Sequence, residues 1–153
     1  MEERLHYTKV SPGAYHALLG LEKYLHDCGL EVGLLHLIKL RASQINGCAY
    51  CLDMHWKDLK SIGETEQRMY SLDAWRECPY YTDRERAALA WTDSETRIAD
   101  THAPDEVYEE VKKHLTKRKS RTSPSLLPPS MPGTDWPSQA ERRRAPINWR
   151  KRK

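Results

Sequence analysis

The sequence predicts an all-α fold, and three observations carry that expectation. Apolar residues recur at the three- and four-residue spacing of helices in one segment after another. Ser, Thr, Pro and Gly stand where helices start and stop. No strand-like alternation and no hairpin signal occurs anywhere in the chain.

Residues 1–10 read as a short irregular lead-in. Ser11-Pro12 then marks a helix start, with serine at the N-cap and proline at the first helical position, where a missing N–H breaks no bond. Ala14, Leu18, Leu19, Leu21 and Leu25 follow at helical spacing, and Gly29 ends the element. A second helix, from about Glu31, carries Leu34, Leu35, Leu37, Ile38, Leu40 and Ile45 and closes at an Asn46-Gly47 turn. The third begins at Cys48 and Cys51 and runs to about Ser61, with Gly63 as its stop. Thr65 caps a fourth helix through Trp75, broken by Cys78-Pro79. Thr82-Asp83-Arg84-Glu85 is a capping box. It opens a fifth helix whose apolar face takes in Ala87, Ala88, Leu89, Trp91 and Ile98. Pro104 sits in the first turn of a sixth helix, with Val107, Tyr108, Val111 and Leu115. Tyr70, Trp75 and Trp91 fall at helical spacing among apolar residues and are expected in the core.

Composition divides the chain in two. Residues 1–116 hold 14 Lys+Arg against 20 Asp+Glu, whereas residues 117–153 hold 11 against 2. The second part also has six of the nine prolines and little periodic apolar content, which predicts a disordered basic tail behind one helical domain, 1–116. No apolar run approaches the ~18–20 residues of a membrane span. The opening MEERLHY lacks the apolar stretch of a signal peptide, so a cytoplasmic protein is expected. In a reducing compartment, C-x-x-C points to redox or metal chemistry before a structural disulfide. Cys28 and Cys78 read as ordinary half-buried residues.

The chemistry concentrates in Cys48, Cys51 and His55. With the segment helical, the three share one face, and both sulfurs lie in the first turn. The partial positive charge and free N–H groups of a helix N-terminus favour a thiolate. An imidazole one turn away can take or return the proton. Structural zinc would need four ligands; without a second C-x-x-C or H-x-x-x-H, His36 would have to be the fourth. A c-type haem is excluded, because Leu52 rather than histidine follows Cys51. No metal or other cofactor is expected. Tyr50 and Trp56 either line a pocket beside the thiols or pack, and Asp53 and Asp58 read as solvated helix positions.

ASQINGCAYCLDMH, followed by GETEQRMYSLDAWRE, YTDRERAALAWTD and PDEVYEEV, resembles the carboxymuconolactone decarboxylase superfamily, in its alkylhydroperoxidase D-like branch, over approximately residues 5–115. The resemblance implies an all-helical fold assembling as trimers or hexamers. It implies a thiol-dependent peroxidase in which Cys51 attacks an organic hydroperoxide, Cys48 resolves the sulfenic acid as a disulfide, and His55 relays protons. An external dithiol carrier then reduces the disulfide. Two departures stand out. The family usually has a glutamate twelve positions before the first cysteine; here that position is His36, which can shuttle protons but cannot be a carboxylate anchor for His55. Glu31 is more than a turn from that slot and is no substitute. Slower chemistry and a shifted pH optimum are expected.

The second departure is the tail, where the family continues with another apolar helix. Joining the last base of each codon to the first two of the next turns Met131-Pro132 into Ala, Asp135-Trp136 into Leu and Trp136-Pro137 into Ala. With free wobble bases the segment then fits A-D-L-T-L-A-A-A-A-I-N-A-W-N-R-L-A. Residues from about Thr116 therefore read as an out-of-frame translation, and the body loses a helix that would cover apolar surface. An alternative of another class follows: a catalytically impaired helical assembly protein whose basic tail binds polyanions nonspecifically. Specific nucleic-acid binding is not expected from composition alone. Lactone decarboxylation rests only on the superfamily's name and needs no redox pair. The coding DNA around codons 114–120 is expected to carry a one-base shift; an intact in-frame homologous reading there would end the frameshift idea.

Overall fold

Residues 6–115 are the part of the chain that the computed structural model describes, and they form eight helices with no strand among them. In order these are α1 (Tyr7–Val10), α2 (Pro12–Asp27), α3 (Val32–Ile45), α4 (Ala49–Ser61) and α5 (Glu66–Tyr70), then a 3-10 turn (Ser71–Ala74). The remaining helices are α6 (Asp83–Thr96), α7 (Ile98–Thr101) and α8 (Asp105–Leu115). The all-α expectation holds. The basic tail, 117–153, and its frameshift reading lie outside the described residues.

Local chemistry explains most of the boundaries. Thr82 accepts a hydrogen bond from the Glu85 N–H while Glu85 accepts from the Thr82 N–H, the reciprocal capping box that starts α6. Thr65 caps α5 by accepting from the Arg68 N–H. At the start of α2, by contrast, the Ser11 side chain caps nothing, and Pro12 alone marks the first turn. The lead-in expected to be irregular contains one helical turn, α1. The fourth helix is shorter than expected, because the chain tightens into the 3-10 turn at Ser71. That rotation leaves Tyr70 72% exposed instead of in the core. Ile98 is likewise 52% exposed: α6 stops at Thr96 and a new short helix begins, so the periodicity linking Ile98 to Trp91 is broken.

Helix α3 is apolar around most of its circumference, and a helix of that kind has to be enclosed. On one flank Leu34, Leu35 and Ile38 pack with Leu25 of α2, Ala88 and Trp91 of α6, and Val111 and Leu115 of α8. On the other, Leu37 and Leu40 pack with Leu59 of α4, Met69, Leu72, Trp75, Tyr81 and Leu89. Helix α6 contributes to both cores. Helix α2 is held far more lightly. Leu25 is its buried side chain and Glu22 pairs with Lys39 of α3, but Leu19, Leu21 and Tyr24 remain exposed.

A buried ion-pair network ties these layers together. Arg41 Nε donates to Asp93 Oδ1 at 2.7 Å, and Arg41 Nη1 donates to Asp73 Oδ1 at 2.5 Å. Arg76 Nη1 and Trp75 Nε1 donate to Asp93 Oδ2 at 2.6 and 3.3 Å. One carboxylate thus joins α3, α6 and the loop after the 3-10 turn. Burial works to raise the Asp93 carboxyl, but hydrogen bonds and charge from Arg41 and Arg76 outweigh it and hold the carboxyl below its ordinary value. Asp93→Ala would leave Arg41 buried without its main partner and is expected to cost about 3–5 kcal/mol in urea unfolding. Because the folded carboxyl is depressed, its contribution is fully present above the ordinary carboxylate range and disappears as the pH falls through the lower folded value. Asp93→Ala should therefore flatten the acid limb of the stability–pH curve, which urea midpoints at a series of pH values will read.

Candidate active site

Helix α3 ends at Asn46, whose N–H donates to Ala42 O, and Gly47 turns the chain at a φ of 61°, a left-handed conformation that glycine adopts without strain. The Cys48 N–H then donates to Ser43 O at 3.1 Å, so the first residue of the motif is hydrogen-bonded to the last turn of α3. Cys48 is the N-cap of α4, with extended backbone, and its Sγ accepts from the Cys51 N–H at 3.3 Å. The two cysteines therefore occupy distinct places: Cys48 is the cap itself, and Cys51 lies inside the first turn. Their sulfurs are bonded to each other, with the Cα atoms 5.3 Å apart.

One turn further on, His55 lies on the buried stripe of α4, between Leu52 and Leu59. Its Nδ1 is 3.2 Å from Asp58 Oδ2. His36, on α3, brings its own Nδ1 to 3.4 Å from the same oxygen, outside hydrogen-bonding alignment. The side chains of His36, His55 and Asp58 are only 12, 11 and 9% exposed. The expectation that Asp58 is solvated is overturned. The carboxylate that the sequence lacks at position 36 comes instead from α4. The signal was present in the i,i+3 spacing of His55 and Asp58, but the third member stands 22 positions from Asp58, on another helix. Asp53 is solvated as expected, paired with Lys57 at 2.6 Å.

All four predicted site residues, Cys48, Cys51, His55 and His36, sit on α4 or on the face of α3 against it. Trp56 is 37% exposed with Lys60 over its ring, and Tyr50 is half-buried. Among the described residues the group able to hold a metal ion is His36, His55 and Asp58, not the cysteine-containing set weighed for zinc.

Electrostatics separates the two imidazoles. Burial drives His36 down to about 4, and the positive neighbours His55, Lys39 and His26 add to that. The attraction of Asp58 works the other way and is too weak to reverse it. His36 is therefore neutral at physiological pH. A hydrogen bond from His55 Nδ1–H to Asp58 leaves Nε2 of that ring with its lone pair, the form that accepts a proton.

Since His36 binds its proton more weakly folded than unfolded, stability should fall as the pH drops from about 6.5 to about 4. The full effect is of the order of 3 kcal/mol. In a nuclear magnetic resonance titration, the His36 ring should move near pH 4 in the wild type and lower still in Asp58→Asn, which removes the one group favouring its protonated form. An unchanged His36 titration in Asp58→Asn would refute the assigned charge coupling.

Comparison with known proteins identifies the family of the chain. Residues 12–94 match the family model of the carboxymuconolactone decarboxylase family. The chain is 41% identical over 114 residues to the uncharacterized protein YdfG of Bacillus subtilis (strain 168), covering 74% of this chain and 78% of that protein. It also superposes with a TM-score of 0.75 on a crystal structure from Agrobacterium tumefaciens, a protein of unknown function proposed there as an antioxidant defence protein AhpD. The two are 44% identical in sequence, and the match covers 82% of this chain and 86% of that one. The chain belongs to the carboxymuconolactone decarboxylase family, in its alkylhydroperoxidase D-like branch.

Proposed function

We propose that the protein is a cytoplasmic thiol peroxidase that reduces organic hydroperoxides through Cys48 and Cys51 and is recycled by an external dithiol. The observation that carries the reading is the bonded Cys48–Cys51 pair at the start of α4, one turn from a buried His55–Asp58 pair. The family resemblance makes Cys51 the attacking thiol and Cys48 the resolving one, and His55 lies one helical turn on from Cys51. The dipole of α4 favours a thiolate in its first turn, where the Cys51 N–H donates to Cys48 Sγ.

The cycle balances as follows. His55 takes the Cys51 proton, with Asp58 holding the imidazole and stabilising the charge it gains. The thiolate attacks the outer oxygen of the hydroperoxide; an S–O bond forms, the O–O bond breaks, and the alkoxide leaves as an alcohol with the proton from His55. Cys48, as thiolate, then attacks the sulfenic sulfur, forming the disulfide and releasing hydroxide, which leaves as water after protonation. The external dithiol supplies two electrons and two protons to restore both thiols, and is itself oxidised to a disulfide. His36 stands behind Asp58 as a neutral imidazole, its Nδ1 3.4 Å from Oδ2.

Assembly into homo-oligomers fits the same reading. Leu21 and Tyr24, three apart on one side of α2, are exposed apolar side chains, and Leu19 is exposed on another side of the same helix.

Purified protein should reduce an organic hydroperoxide in the presence of a dithiol donor. Cys51→Ser should abolish turnover, and His55→Ala should slow it by about 10²–10⁴-fold. Equal, negligible turnover in the wild type and Cys51→Ser would sink the enzymatic reading.

A further inference from the structure

The geometry points to a second capacity of the same cluster: His36, His55 and Asp58 form a site for a divalent first-row transition metal, independent of the cysteines. The three donor atoms lie within 4.8 Å of one another. Two of the separations are 3.2 Å, from His55 Nδ1 to Asp58 Oδ2, and 3.4 Å, from His36 Nδ1 to the same oxygen. In a tetrahedral zinc site with bonds of 2.0–2.1 Å, neighbouring donors stand about 3.3 Å apart. The carboxylate oxygen is therefore already at ligand-to-ligand spacing from each ring nitrogen.

The position of His36 is otherwise hard to account for. Its Nδ1 is buried, faces a carboxylate, and makes no hydrogen bond; a buried polar atom of that kind ordinarily has a partner. A metal ion between the three groups would supply one. The two helices fix the donors from opposite sides, α3 giving His36 and α4 giving His55 and Asp58, and their burial leaves little freedom to be lost on binding. Two imidazoles and one carboxylate suit Zn²⁺, Fe²⁺ or Co²⁺ and not the oxygen-seeking Mg²⁺ or Ca²⁺. Three protein ligands leave a fourth position to water. The Lys39 ammonium is the opposing charge nearby, and its ion pair with Glu22 offsets part of its field.

Binding there would occupy Asp58 and an imidazole nitrogen of His55, the groups assigned above to proton transfer, so a bound metal would switch the relay off. That consequence rests on the peroxidase reading; the binding does not. The test keeps the two apart by using the full chain with Cys48→Ser and Cys51→Ser, which has no peroxidase chemistry to lose. Zn²⁺ is titrated against a competing chromophoric chelator, and Co²⁺ is followed by its visible bands. One equivalent should bind, with Co²⁺ bands of nitrogen and oxygen ligation and no thiolate charge-transfer band. Asp58→Asn and His36→Gln, each added to that background, should weaken binding at least about tenfold. Circular dichroism melting confirms that each variant is folded, and His36→Gln carries the comparison if Asp58→Asn is not. No stoichiometric binding, equal affinity in the folded variants, or a thiolate band from Cys28 or Cys78 would overturn the site.

Discussion

The enclosure of α3 is the constraint on which the rest of the structure depends. Leu34, Leu35 and Ile38 need cover on one side and Leu37 and Leu40 on the other, so helices must pack on both flanks. With each fully buried aliphatic side chain worth ~1.5–3 kcal/mol, this one helix commits a large share of the apolar surface available to a small domain. α6 and α8 settle on one flank, α4 and the α5 region on the other. The Asn46-Gly47 turn forces α4 back along α3, and this return brings Asp58 and His55 against His36.

The polar residues of α3 are placed by the same geometry. His36, Lys39 and Ser43 recur at the spacing of one helical stripe, and each is tied to a neighbouring element. Lys39 reaches Glu22 on α2, His36 faces Asp58 on α4, and the Ser43 carbonyl receives the Cys48 N–H. Arg41, on a different side, reaches Asp93 on α6. The helix that fills the core thus also fixes the start of α4 and one side of the His36–His55–Asp58 cluster. A shift of α3 along its axis would disturb packing, the N-cap cysteine and the His36–Asp58 approach together. Stability and chemistry share one support.

Much of this was legible in the sequence because it is local. Cap residues, glycine stops and 3.6-residue periodicity placed α2, α3, α4, α6 and α8 to within a few residues, and C-x-x-C with histidine four on located the site. What failed was non-local or depended on phase. Tyr70 and Ile98 were assigned to the core by extending a period past a 3-10 turn and past the α6–α7 break, where the helical phase resets. An aspartate on an amphipathic helix usually faces water, so the sequence alone puts Asp58 in solvent. Only the approach of α3 makes its position a buried one, and nothing near Asp58 in sequence announces His36.

The exchange at position 36 has an electrostatic consequence that follows from counting charges. A glutamate there would put two carboxylates around His55 and favour its protonated form strongly. With histidine there, one carboxylate faces two imidazoles in a site only about a tenth exposed. If both rings were protonated, the cluster would carry net positive charge in a poorly solvated place, beside Lys39, so one ring must give way. Burial and repulsion decide that it is His36, which is pushed to about 4 and stays neutral. His55 keeps the close contact with Asp58. The substitution therefore does not take the carboxylate away from His55. It leaves His55 with one anionic partner instead of two, and it gives that partner a second, neutral nitrogen ligand.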